Sequence, residues 1–86
     1  MPEISRFFGI VIKMYYNDHQ PPHFHAEYGG SRVEINIETL EVLVGNLPRR
    51  AMTLVIEWAI AHRDELRENW NLARTHETLL AIEPLE

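Results

Sequence analysis

The sequence predicts an α+β domain. A small antiparallel sheet of about four strands, over residues 9–45, precedes one long helix or two consecutive helices over residues 48–76. Apolar and polar residues alternate in the first part, as in strands with one buried face, and then recur with a period near 3.6. The length of 86 residues fits a single domain over 1–86, with the helices packed on one face of the sheet.

The first predicted strand covers residues 10–16, a run of β-branched and aromatic side chains, and it ends at the turn-forming pair Asn17-Asp18. Pro21 and Pro22 follow. They keep the chain extended, because proline fixes its own φ and restricts the residue before it. The sequence therefore predicts a stiff, non-helical connection to the second strand.

A tight hairpin is predicted at Gly29-Gly30, where two alternating runs over residues 23–28 and 31–37 meet at residues that tolerate positive φ. Pairing outward from this turn gives the register Tyr28–Ser31, Glu27–Arg32, Ala26–Val33, His25–Glu34, Phe24–Ile35 and His23–Asn36. Alternation separates a core face (Phe24, Ala26, Val33, Ile35) from an opposite face (His23, His25, Glu27, Arg32, Glu34, Asn36). The register also predicts a hydrogen bond for the His25–Glu34 pair and an ion pair for Glu27–Arg32.

After this hairpin we expect a turn at Thr39-Leu40, a fourth strand over residues 41–44 and an exit from the sheet at Gly45-Asn46. Pro48 suits the first position of a helix, where its missing N–H is not needed. The sheet is therefore predicted to end just before the helical part begins.

The helical part carries one apolar stripe, formed by Ala51, Val55, Trp58, Ala59, His62, Leu66, Trp70 and Ala73. The stripe fits a single helix of about 27 residues, or a break near residues 62–64 with Asp64 as the cap of a second helix. We expect the break, because one helix of that length would overhang a small sheet. Residues 78–82 are apolar enough for a short C-terminal strand.

The amino-acid composition disfavours several classes of binding partner and excludes chemistry that depends on cysteine. A formal net charge of −5 disfavours nucleic-acid backbones and anionic membrane surfaces, both of which attract clustered Lys and Arg. The absence of cysteine excludes disulfides and thiolate zinc sites. The start Met1-Pro2-Glu3 lacks the features of a signal peptide, so the sequence predicts a cytoplasmic location with no membrane partner.

The most unusual chemistry lies in the His-Gln-Pro-Pro-His-Phe-His segment, where His19, His23 and His25 fall within seven residues. Imidazoles two residues apart on one strand face, about 7 Å between Cα atoms, can converge on one divalent metal ion. Glu34 is a candidate third ligand or an orienter of His25, and Asp18 or His19 could return from the loop. The alternative interpretation is an open polar sheet face with solvated or ion-paired histidines.

Two arginines, Arg49 and Arg50, begin the predicted helix. They can contact an anion beside the free N–H groups of the first turn, or they can be solvated surface charge. The candidate binding surface therefore comprises His19, His23, His25, Glu27, Glu34, Arg49 and Arg50, with His23, His25, Glu34 and His19 as candidate metal ligands.

Four stretches point to one family: Met-Pro-x-Ile-Ser-Arg-Phe-Phe-Gly-Ile over 1–10, Asn-Asp-His-x-Pro-Pro-His-Phe-His over 17–25, Gly-x-Leu-Pro-Arg-Arg-Ala over 45–51 and Trp-x-x-x-His-Arg-x-Glu-Leu over 58–66. They resemble the bacterial family catalogued as domain of unknown function 4160. The family has no established activity, so the resemblance implies no catalytic residues. It implies a small stand-alone bacterial protein, often encoded beside a member of domain of unknown function 2442, in pairs that resemble toxin–antitoxin arrangements.

Three functional hypotheses follow. The first is a protein-interaction module that binds a small protein partner encoded nearby, in a toxin–antitoxin-like pair. The second is a metal-dependent or His-assisted nuclease or hydrolase that uses the histidine segment, with His23 and His25 as ligands or acid–base groups and Arg50 on phosphate. The third is a homodimer in which the polar sheet face joins two copies.

Overall fold

The computed structural model describes residues 3–86 and shows an α+β domain, which confirms the predicted class. A five-stranded antiparallel sheet has its strands in chain order. The strands are β1 (Glu3–Phe7), β2 (Ile10–Lys13), β3 (His23–Tyr28), β4 (Ser31–Asn36) and β5 (Val42–Gly45), and the helices are α1 (Arg49–Ala61) and α2 (Arg63–Arg74). Met1 and Pro2, which begin the first family motif, lie outside the described residues.

Strand β1 is an addition to the predicted sheet, which was expected to begin at residue 9. It pairs with β2 through a turn in which Phe8 and Gly9 both have positive φ, 50° and 79°. This is the backbone of a two-residue hairpin. Phenylalanine is uncommon at positive φ, so the usual sequence signal for such a turn is missing.

The predicted β3–β4 register is confirmed at every pair, from Tyr28–Ser31 beside the turn to His23–Asn36 at the far end. The predicted core-face residues of this hairpin are all buried. Strand β2 is shorter than predicted and ends at Lys13, because its pairing with β3 stops at Lys13–His25 and the chain then turns away. The fourth predicted strand is shifted by one residue, since Gly45 still pairs with Val33.

The helical region is divided in two, as expected. The break falls at His62, whose φ of −125° and ψ of 26° are not helical. Asp64 is not the cap: it lies in the first turn of α2, and its carboxylate accepts a hydrogen bond of 2.8 Å from Arg67. Pro48 precedes α1 instead of occupying its first position, because its ψ of 148° is extended.

The core lies between the sheet and the apolar stripe of the two helices. Every residue of the predicted stripe except His62 is buried. Trp58 stands at the centre, with its ring centroid 5.5 Å from that of Phe7 and 6.0 Å from that of Phe24. Burying such a side chain stabilises a small domain by roughly 1.5–3 kcal/mol.

The C-terminal segment forms no strand, so the prediction for residues 78–82 is wrong. The side-chain amide of Asn69 donates a hydrogen bond to the backbone C=O of Leu80 and accepts one from its N–H, each at 2.8 Å. These two backbone groups are therefore not available for β-sheet pairing. A single backbone bond of 2.8 Å joins Ile82 N–H to Ile4 C=O, and this segment therefore lies against β1. None of the helices within residues 3–86 is long and apolar enough to cross a membrane.

Candidate metal centre

The loop between β2 and β3 brings Asp18 over the start of β3. Asn17 has a φ of 57°, which reverses the chain, and Asp18 Oδ1 accepts a hydrogen bond of 3.0 Å from the backbone N–H of His19. This local bond fixes the carboxylate and leaves its other oxygen, Oδ2, directed at the histidines of β3.

Asp18 Oδ2 lies 2.9 Å from His23 Nε2 and 3.0 Å from His25 Nε2. Burial raises the pKa of the Asp18 carboxyl, but the hydrogen bonds from His25 and from the His19 amide, with the nearby imidazole charges, leave this pKa below its usual range. The group is therefore a carboxylate at neutral pH, shared between two imidazoles.

His23 has both ring nitrogens against oxygen acceptors. Its Nδ1 lies 2.8 Å from the backbone oxygen of Pro21, and a carbonyl oxygen can only accept, so Nδ1 carries the hydrogen. In a neutral ring, Nε2 then presents a lone pair to the Asp18 carboxylate. The side chain is fully buried, and this contact therefore requires a second proton or a metal ion at Nε2.

His19 repeats this arrangement on the exposed side. Its Nδ1 lies 3.2 Å from the backbone oxygen of Gln20, which leaves Nε2 as the free nitrogen, 3.7 Å from Asp18 Oδ1. The ring stacks on that of His23, with 4.9 Å between centroids. Metal-binding histidines commonly hold their second ring nitrogen in this way, with a carbonyl as acceptor.

Glu34 supplies an oxygen without a partner. Its Oε1 is buried, makes no hydrogen bond within residues 3–86, and lies 3.7 Å from His23 Nε2. Its Oε2 lies 4.0 Å from His25 Nδ1, so the predicted His25–Glu34 hydrogen bond is wrong, because Asp18 holds His25 from the other side. A buried carboxylate oxygen without a donor points to a cation.

The donor atoms form two overlapping sets that share His23. Those of Asp18, His23 and His25 lie within 4.8 Å of one another, and so do those of His19, His23 and Glu34. Metal–ligand bonds of about 2.1 Å in a tetrahedron place ligand atoms roughly 3.4 Å apart. The contacts of 2.9 and 3.0 Å at Asp18 would need to open by only a few tenths of an ångström. These nitrogen and oxygen ligands fit a divalent transition metal.

Other predicted site residues lie elsewhere. Arg50 borders an apolar pocket at the Tyr28 end of β3, the opposite end from His23. Arg49 lines a separate depression along α1 with Met52 and Ile56. Neither arginine joins the histidine cluster.

Glu27 lies on the predicted face but outside the cluster. Its carboxylate accepts a hydrogen bond of 3.1 Å from Lys13 on β2. The predicted Glu27–Arg32 ion pair is therefore wrong, because the neighbouring strand offers a closer cation.

Two aromatic residues, Trp70 and Tyr15, complete the surroundings of the cluster. Trp70 of α2 packs on His23, with 5.3 Å between ring centroids, and helps to bury it. Tyr15 meets His25 edge-on at 4.7 Å. The position of Trp70 on the apolar stripe indicated burial, but no sequence signal connected it with the histidine segment.

The fold and the site together define a class: a small α+β domain with a histidine–carboxylate cluster at one end of a β-hairpin. The family can also be stated, since the sequence model described as "Domain of unknown function (DUF4160)" matches residues 9–71. The chain belongs to this DUF4160 family, as its motifs suggested. The matched range includes every residue of the cluster. No curated protein and no solved structure matches the chain.

Proposed function

We propose that this domain binds one divalent transition-metal ion, of the Zn²⁺ type, through Asp18, His23 and His25, with Glu34 as the fourth protein ligand or as a partner of the bound ion. The supporting observation is the buried His23 ring, whose Nδ1 faces a carbonyl and whose Nε2 faces carboxylate oxygens at 2.9 and 3.7 Å. A metal ion satisfies all of these groups at once.

A mixed set of imidazoles and carboxylates favours Zn²⁺ and its neighbours over Mg²⁺ or Ca²⁺, which prefer oxygen ligands alone. The site is partly open, since Asp18, His25 and Glu34 each keep about a fifth of their side-chain surface exposed, at 16%, 19% and 22%. With Glu34 as a partner of the ion rather than a ligand, three protein ligands would hold the ion and leave one position open, which is typical of catalytic rather than structural zinc sites. Metal-dependent hydrolysis is therefore the activity that this site supports best.

The test is metal analysis of protein purified without an affinity tag, followed by titration with Co²⁺, whose visible absorption reports tetrahedral coordination. We expect one ion per chain. The variant His23→Gln should lose it, and the matched control His62→Gln should retain it, because His62 lies outside both donor sets. A folded protein that takes up no Zn²⁺, Mn²⁺ or Ni²⁺ would refute the proposal.

A second candidate function is protein interaction, and a separate observation favours it. The edge strand β5 exposes three consecutive apolar side chains, with Val42 at 48%, Leu43 at 37% and Val44 at 57%. An apolar edge with unpaired backbone groups is a template for an added strand. We propose that a small protein encoded nearby adds an extended segment to β5, as in a toxin–antitoxin-like pair. The net charge of −5 favours basic residues beside that segment.

Co-expression with the neighbouring gene product tests this interaction. Val44→Lys should abolish co-purification, whereas Ile60→Lys, which changes a similarly exposed apolar residue on α1, should preserve it. Equal retention of the partner by both variants would exclude β5 as the docking strand. If the chain alone sediments as a dimer that only Val44→Lys dissociates, the occupant of β5 is a second copy.

A further inference from the structure

Arg32 lies on the open face of the sheet and has no carboxylate partner in the part of the chain that the structure describes. Its cross-strand neighbour Glu27 is bonded to Lys13 at 3.1 Å, and Arg32 forms no ion pair within residues 3–86. The side chain is exposed. An unpaired guanidinium presents several N–H donors in a planar fork, which suits an oxyanion.

One cleft joins Arg32 to the proposed metal centre. It has a volume of about 260 Å³, and its walls include Tyr15, His25, Glu27, Arg32, Glu34 and Val44. Arg32 and Glu34 are two residues apart on the same face of β4, about 7 Å between Cα atoms. The cleft is therefore lined both by two candidate residues of the metal centre, His25 and Glu34, and by the guanidinium-bearing Arg32.

The charged side chains of the cleft make the binding of an anion dependent on the proposed metal ion. Without metal, the Glu34 carboxylate in the cleft opposes anion binding at Arg32, whereas the charge of Glu27 is already neutralised by Lys13. A divalent ion held beside Glu34 would offset that carboxylate and add positive charge next to the cleft. Arg32 can then contact the outer oxygens of a ligand whose inner oxygen binds the metal.

We infer that this cleft binds a small phosphate ester, held between the metal ion and the Arg32 guanidinium. This inference rests on the proposed metal binding. A phosphate group has three terminal oxygens, so it can bind the metal and both arms of the guanidinium together, whereas a planar carboxylate has only two oxygens to share. The volume of about 260 Å³ suits a small molecule, and the acidic chain disfavours a long polyanion.

Calorimetry on the Zn²⁺-loaded chain tests the inference, with phenyl phosphate as the probe and benzoate as the carboxylate of similar shape. Phenyl phosphate should bind more tightly than benzoate. Arg32→Gln should weaken phenyl phosphate binding by about 10- to 100-fold, the usual effect of losing a charge-assisted hydrogen-bond pair. The metal content of this variant should be unchanged. Arg74→Gln, which alters another exposed arginine at the end of α2, is the matched control and should bind normally.

The outcomes separate this inference from the metal proposal. Metal uptake without phenyl phosphate binding, or an equal loss in both arginine variants, overturns the inference while the metal site stands. Tighter binding of benzoate identifies a carboxylate ligand and also overturns it. If the chain binds phenyl phosphate through Arg32 without taking up metal, the metal centre is wrong and the metal-bridged geometry fails with it. Binding of neither probe nor metal refutes both.

Discussion

Two histidines of this chain, His23 and His62, have similar neighbours and different chemistry. Each packs on a tryptophan, His23 on Trp70 at 5.3 Å and His62 on Trp58 at 5.5 Å, and each faces a carboxylate. His62 donates from Nδ1 to Glu65 and is partly exposed, with 19% of its side-chain surface accessible.

His23 is fully buried and faces acceptors on both nitrogens, with a second carboxylate nearby. The number of histidines is therefore a poor guide to a metal site. An excess of buried hydrogen-bond acceptors over donors is a better guide to a metal site, because a cation can satisfy the unpaired acceptors.

The largest expected effect comes from removing the tryptophan that covers each histidine. Trp58→Ala and Trp70→Ala should each destabilise the domain by about 3–5 kcal/mol, the usual cost of deleting a buried tryptophan. Only Trp70→Ala should also reduce metal retention in the folded protein, because it exposes His23 to water. Urea denaturation and metal analysis of the folded fraction measure the two effects. A cost below about 1 kcal/mol for Trp70→Ala would contradict its role as the cover of the site.

The next largest effect distinguishes the two carboxylates that contact these histidines, Asp18 beside His23 and Glu65 beside His62. At a Zn²⁺ concentration 100 times the dissociation constant, the wild type and Glu65→Gln should both gain about 2.7 kcal/mol of stability. Asp18→Asn should gain only about 0.4 kcal/mol if its affinity falls a hundredfold. Thermal melts with and without Zn²⁺ check this difference. A similar gain in both variants would show that Asp18 is not a ligand.

A smaller effect distinguishes the two indole N–H groups. Trp58 Nε1 donates 2.8 Å to the backbone oxygen of Glu83, whereas Trp70 Nε1 is buried without a partner within residues 3–86. Trp58→Phe leaves that carbonyl without its donor, but Trp70→Phe removes a donor that was already unsatisfied. Trp58→Phe should therefore cost about 1–3 kcal/mol more than Trp70→Phe in urea denaturation. Equal costs would mean that water satisfies the Trp70 donor.

The smallest expected effect concerns an ordinary ion pair, which provides the baseline for acid sensitivity. Arg67 donates two hydrogen bonds of 2.7 Å to Glu38, and these bonds, opposed by slight burial, lower the pKa of the Glu38 carboxyl. A carboxyl with a lowered pKa stabilises the fold above its unfolded value, and this contribution is lost as pH falls through the lower folded value. Stability should therefore fall slightly less steeply below about pH 4.5 in Glu38→Gln than in the wild type. An identical slope in acid denaturation would show that solvent screens the pair completely.

The sequence predicts the hairpin and the helices well, because local signals determine them. Gly29-Gly30 specifies a two-residue turn, and the period of two along the strands then leaves one register. The same local reasoning fails to predict the turn at Phe8, because this residue has a positive φ and phenylalanine is not a residue type that indicates one.

Only part of the candidate site could be predicted from the sequence. Spacing indicated that His23 and His25 share a strand face, and the loop suggested Asp18 as a further ligand. The burial of His23 depends on Trp70, which is distant in the sequence, and the freedom of Arg32 depends on Lys13 of another strand. Such contacts follow from tertiary packing, which no short-range pattern encodes.

The backbone hydrogen bond between Ile82 and Ile4 bears on how the domain closes and opens. It joins residues near the two ends of the described chain, so the segment between them must be in place before it can close. Ile82 is 4% exposed and belongs to the buried core cluster, and its amide donates to the backbone oxygen of Ile4 in β1. Hydrogen exchange at this single amide would therefore report the opening of the whole domain rather than the fraying of its last residues.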